Sequence, residues 1–387
     1  MTPRPALAAI PLTLLLWGIH AIAEPDSVTP PGGRIEHVLS IVHPGDATAE
    51  PAEHTLVETR DQDGEPFAYS MWVDSVICRD EVCDVVKVQL HWDALGRYQR
   101  YQVAPGSRLT KLDHVPFTGE DRAKLQRILA DPDSPLKEVE KEAMTAKPPP
   151  KPAKSSAAVD GVSGATVLTL KTAVILGAGY TCYDLWHWSN GLLTDHIRDF
   201  TGKNSSEEQL QAYLAKDDIE STLLALEYLG KRRISSPELT DMVIARSKDG
   251  DGILLVSALA YLRETAPSDQ AYYDSIVSIF SATDSRKRLL ILDVLSKESQ
   301  QPVAGFYDRL CDYLPELESY YEVHLFLELM EKRNPASAVV AVKAAELLQH
   351  EKFFVSRRAY WYLEKRTLPA NLRKLVDAYY DANKDRL

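Results

Sequence analysis

Seven consecutive residues, Asp160-Gly161-Val162-Ser163-Gly164-Ala165-Thr166, bring together a carboxylate, two hydroxyls and a pair of small residues. That set suits a group attached through oxygen. A threonine hydroxyl is a poor nucleophile unless a base or metal activates it, so an enzyme that modifies Thr166 must grip the segment closely. Gly164 and Ala165 leave room for that approach, and glycine accepts the torsions of a tight turn. The run after Thr166 is apolar and helical in character. A phosphate on Thr166 would therefore sit near a helix N-terminus, where free N–H groups and the dipole favour negative charge. Read without chemistry, the same residues make a turn followed by an N-cap at Ser163 or Thr166.

This stretch resembles the flavinylation motif of the FMN-binding domain family: Asp, two variable residues, Ser or Thr, Gly or Ala, Ala, Thr. The resemblance implies a periplasmic flavin transferase that cuts FAD and links the FMN phosphate to Thr166. Asp160, Ser163, Gly164 and Ala165 would serve recognition and hold the turn. It covers residues 160–166, and Val167 follows in place of a hydroxyl residue.

Other side chains offer weaker chemistry. Lys111 could neutralise the ring edge of a reduced flavin. His114 could face a flavin or shuttle a proton, although beside Asp113 it also reads as a local hydrogen-bond partner. Tyr180, Tyr183 and His187 fall at i, i+3 and i+7, on one helix face with Trp186 and Trp188 beside them. Such rings can stack on an isoalloxazine, or they can pack a junction between domains. Cys78 and Cys83 flank a turn, and in an oxidising compartment they are most simply a structural disulfide closing a hairpin. A redox-active pair and free thiols remain the alternatives.

Positioning these residues requires strands, then helices. Residues 24–66 are rich in Pro, Gly, Asp and Glu and read as a flexible lead-in, with one short apolar element near residues 35–42. From residue 67 to 103 the pattern alternates. Tyr69, Met71, Val73, Ser75 and Ile77 share one face, as do Val86, Val88, Leu90 and Trp92, which predicts an antiparallel meander of about three strands. Thr118 and Asp121 have capping-box spacing for a helix over 120–130. A charged, Pro- and Lys-rich loop at 138–156 precedes the motif. An apolar, aromatic run at 168–188 predicts a buried helix too short for a bilayer.

Beyond residue 205 the helical period dominates. Ala225–Leu229, Ala258–Leu262, Ile291–Leu295, Phe326–Met330 and Ala359–Leu363 recur at steps of 33, 33, 35 and 33 residues. Each copy pairs with a second amphipathic run, which resembles HEAT-like repeats building an α-solenoid of about five helix pairs over 205–387.

The fold class expected is thus α+β: a small antiparallel-sheet domain at 67–195, FMN-binding-like by resemblance, followed by an all-α solenoid. Residues 1–23 read as a signal peptide, with Arg4, an apolar stretch and Ala21-Ile22-Ala23, so the protein is expected to be exported, with no membrane span in the mature chain. A net charge of −12 argues against nucleic acid. No phosphate loop, paired-His metal pattern or nucleophile elbow is present in the sequence. The function expected is an electron-transfer flavoprotein with FMN on Thr166 and a solenoid that docks a redox partner. The alternative is an envelope scaffold that holds no flavin.

Overall fold

The computed structural model describes residues 32–44, 49–79, 82–141, 172–317 and 319–387. Residues 1–31 and the motif Asp160 to Thr166, with the Pro/Lys-rich run ahead of it, lie outside the described residues.

Five strands form one antiparallel sheet in the order β1 (Arg34–Ile41), β2 (Ala52–Arg60), β3 (Pro66–Arg79), β4 (Val82–Asp93), β5 (Tyr98–Val103). The alternation expected in β3 and β4 holds. Tyr69, Met71 and Val73 lie opposite Trp92, Leu90 and Val88 and are buried on one face. The short element expected near residues 35–42 is β1. The rest of the expected loose lead-in is corrected by β2, whose period is masked by a polar core residue. Glu58 occupies an inward position of β2, fully buried, where an apolar side chain would have marked the strand. Its carboxylate is held by His37 Nε2 at 2.8 Å and Asn204 Nδ2 at 2.9 Å. Arg60 Nε approaches the other oxygen at 2.8 Å, an ion-pair contact off the hydrogen-bond direction. A buried carboxylate is tolerated only with such partners.

The inward face is covered by α1 (Gly119–Leu129), α2 (Gly179–Asn190) and α3 (Leu192–Asn204), through Leu125, Leu129, Leu185, Trp186, Trp188 and Ile197. Helix α1 starts as its sequence indicates, with a reciprocal capping box between Thr118 and Asp121. The aromatic helix α2 begins at Gly179, after a loop with Gly177 at φ 82°.

The remaining helices stack in two layers. One layer is α5 (Ile219–Lys231), α7 (Gly252–Thr265), α9 (Ser285–Lys297), α11 (Tyr320–Arg333) and α13 (Phe353–Leu363), each touching the next. All five repeated segments fall on these helices. The other layer is α4 (Glu207–Ala215), α6 (Pro237–Asp249), α8 (Asp269–Ala282), the short α10 (Phe306–Leu310) running into a 3-10 turn at Cys311–Glu316, α12 (Ala338–Glu346) and α14 (Ala370–Asn383). The 35-residue step corresponds to the longer connection between α9 and α10. Caps repeat with the helices. Asp218, Asp251, Asp284 and Ser319 accept the N3 backbone N–H in the first layer, and Ser206, Ser236, Ser268 and Ser337 do so in the second. Each such cap contributes about 1 kcal/mol.

Cations tie successive units. Arg246 donates to the Ala215 carbonyl at 2.7 Å, Lys287 to that of Lys248, and Arg333 to that of Glu298. Each places positive charge at a helix C-terminus, where orphan carbonyls and the dipole favour it.

Sheet and helical array are fused. Leu95, in the β4–β5 turn, is buried in the core of the helical array, and Arg97 in the same turn pairs with Asp218 and with Glu220 at 2.7 Å. Arg232 donates to the carbonyls of Gly202, Lys203 and Ser205 at 2.6–2.8 Å. Gly202 lies beneath the Tyr228 ring, where a Cβ would meet ring carbon at 2.1 Å. Gly202→Ala is therefore expected to destabilise the protein by roughly 1–3 kcal/mol through overpacking, read as a lower urea midpoint.

Candidate functional site

The chain leaves the described structure after Lys141 and returns at Thr172, six residues after Thr166. Its return is pinned. Lys124 Nζ of α1 donates to the Val174 carbonyl at 2.6 Å, and Leu112 N–H donates to the Gly177 carbonyl at 2.7 Å. A Cβ on Gly177 would lie 3.5 Å from the Lys111 Cβ. The segment just downstream of the motif is thus seated on α1 and on the loop that carries Lys111 and His114.

Lys111 is ion-paired with Asp121 at 2.8 Å. The hydrogen bond from Lys111 and that from the Thr118 N–H hold the Asp121 carboxyl down at about 2. His114 is exposed, on left-handed backbone at φ 57°, a conformation that histidine adopts more readily than most residues. It lines a small recess of about 380 Å³ with Val85, Ser107, Arg108, Thr110 and Pro116.

The aromatic face of α2 is packed. Tyr183 and His187 lie 4.2 Å apart between ring centroids, and His187 Nε2 lies 3.1 Å from the Leu136 carbonyl. The indole N–H groups of Trp186 and Trp188 donate to Asp131 O and His43 Nε2. Tyr180 is half-buried, with Lys141 5.9 Å from its ring centroid. Lys141 also pairs at 2.9 Å with the buried Asp184, whose carboxyl is pushed up by burial against the pull of Lys141. These rings pack against the turns that follow α1 and β1.

Cys78 and Cys83 stand directly opposite one another in the β3–β4 register. Opposed antiparallel residues have Cα atoms about 4.5–5.5 Å apart, inside the range a disulfide spans. The two positions lie at the far end of a hairpin that outruns its neighbours: the β2–β3 pairing reaches only Met71, and the β4–β5 pairing begins at Val88. Cys182 and Cys311 are free and buried, one in each core, so they do not meet.

The concavity that sequence reasoning missed is the outer face of the sheet. It encloses about 1220 Å³ and is lined by Ser70, Trp72, Gln89, His91, Arg100 and Gln102 among others. His91 is central. Its Nε2 is buried with no hydrogen-bond partner, and burial together with the adjacent Arg100 lowers its pKa to about 4. The available signal was the second phase of the β3 and β4 alternation, where a tryptophan and a histidine stand among amides. Among the described residues no group of three or more His, Cys, Asp or Glu could hold a metal, and no helix is long and apolar enough to cross a membrane.

Comparison of the chain with family models, with curated proteins and with solved structures finds no match.

The depressed His91 pKa makes a stability prediction. The folded state prefers the neutral ring, while the unfolded chain takes up the proton near 6.5, so the contribution is complete above about pH 6.5 and is lost as pH falls through 4. Unfolding free energy should drop over that window by about 1–3 kcal/mol, screening by solvent included. His91→Gln should flatten that part of the profile in urea titrations.

Proposed function

We propose that this is an exported flavoprotein that carries FMN covalently on Thr166 and transfers electrons to or from a protein partner. The observation that carries this reading is the sequence Asp160-Gly161-Val162-Ser163-Gly164-Ala165-Thr166. The anchoring of Val174 and Gly177, eight and eleven residues after Thr166, supports it. Val174, seated on α1, follows Thr166 by eight residues, which at no more than about 3.6 Å per residue bounds the tether at roughly 29 Å.

The attachment is a phosphoryl-level transfer. The Thr166 oxygen attacks the FMN-side phosphorus of FAD, the pyrophosphate P–O bond breaks, AMP leaves, and the hydroxyl proton passes to base. The transferase supplies the activation that a threonine lacks. Bound FMN supplies one- and two-electron redox chemistry. This chain's own residues supply position: Asp160 and Ser163 for recognition, and Gly164 and Ala165 for approach; Lys111, ion-paired with Asp121, lies beside Gly177.

The helical array would hold the partner. Ile219, Ile253, Tyr321 and Phe354, at the first or second positions of α5, α7, α11 and α13, are exposed large apolar side chains in related places of four of the five first-layer helices; α9 has Ser285 and Arg286 there. Recurrence on one helix layer also supports the second reading, a scaffold that acts through this array alone.

Protein exported from a host that makes the flavin transferase is expected to show a flavin-fluorescent band on a denaturing gel. Thr166→Ala should abolish it and Thr166→Ser should retain part of it. A band of undiminished fluorescence in Thr166→Ala would exclude this attachment site.

A further inference from the structure

We infer that the outer face of the sheet seats a planar aromatic ring with an imide edge, the isoalloxazine of the proposed flavin, with Trp72 as platform and the buried Nε2 of His91 as its polar partner. This rests on the flavin reading above and adds the place of the ring.

Four observations point there. Trp72 stands 43% exposed just past the end of the β2–β3 ladder, opposite Gln89, and offers a flat apolar surface on which a planar ring can stack. Register sets Gln89 opposite Trp72 and Gln102 opposite Gln89, so two primary amides lie beside the platform. An isoalloxazine presents acceptor, donor and acceptor along its pyrimidine edge, and primary amides supply both complements. His91, opposite Arg100 on β5 and Ser70 on β3, has a buried Nε2 with no hydrogen-bond partner, while its ring is hydrogen-bonded to Gln102. Such an orphan in a cavity marks a place for a ligand's polar atom.

Charge and connectivity fit the same occupant. Asp74 stands two residues from Trp72 with Lys87 opposite it, Asp93 and Glu36 stand farther away, and Arg100 stands opposite His91. Lys87 and Arg100 supply positive charge for a ring that gains negative charge on reduction. Strand β5 abuts α1, through Tyr98 Oη to Gln126 at 2.7 Å and Gln126 Nε2 to the Gln99 carbonyl at 2.7 Å. Helix α1 also holds Val174, eight residues after Thr166.

The test uses full-length protein carrying Thr166→Ala, so that no covalent flavin competes, titrated with free riboflavin while flavin fluorescence is followed. Saturable quenching is expected. Trp72→Leu should weaken it by about tenfold and Trp72→Phe should keep most of it. The absence of saturable quenching, or quenching that Trp72→Leu leaves unchanged, overturns the seat. Failure of covalent attachment shows instead as an unmodified wild-type mass, so the two readings fail separately.

Discussion

One turn of α3 belongs to two cores at once, and the arrangement of the molecule depends on it. Thr201 donates to the Ala94 carbonyl and lies 3.0 Å from the Tyr69 hydroxyl, fixing the helix to the inner face of the sheet. The next residue, Gly202, lets the Tyr228 ring of α5 close over the helix. Tyr228 Oη then reaches Asp199 at 2.6 Å, one turn back on α3. The contact is close-packed, so the sheet cannot shift against the helical array without opening a cavity or exposing a buried ring. Leu95 and Arg232 add to the same joint.

A fixed joint matters for the proposed activity. Electron transfer between a carried cofactor and a docked protein requires a reproducible distance. A sheet domain keyed into the first units of a solenoid holds its outer face at a set position relative to the exposed helix edges. The two faces of the sheet divide the work. The inner one is filled by α1, α2 and α3, with tyrosine, tryptophan and leucine against them; the outer one carries His91, Gln89, Gln102 and the half-exposed Trp72. Antiparallel sheets commonly carry such an asymmetry.

Much of this was legible in the sequence, and the gaps have physical causes. The five repeated segments landed on α5, α7, α9, α11 and α13 because each helix must bury the same apolar stripe against its neighbours. The capping box at Thr118 fixed the start of α1, since its signal is local. Strand β2 escaped because its alternation passes through the buried Glu58, whose partners His37 and Asn204 are far away in sequence. The aromatic face of α2 carried the right period, but only packing shows that Tyr183 and His187 face the Pro135–Glu138 turn. Trp72 and His91 sat in the solvent phase of their strands, where a single sequence does not separate a ligand face from an ordinary surface. Cys78 and Cys83 were paired by spacing, and the register sets them opposite each other.

The most direct measurement of the central claim is the intact mass of the exported protein made beside a flavin transferase. The account predicts a gain of one FMN less one water, localised to the peptide that contains Thr166. An unmodified mass under those conditions would contradict it, and would leave residues 160–166 as a turn with a helix cap.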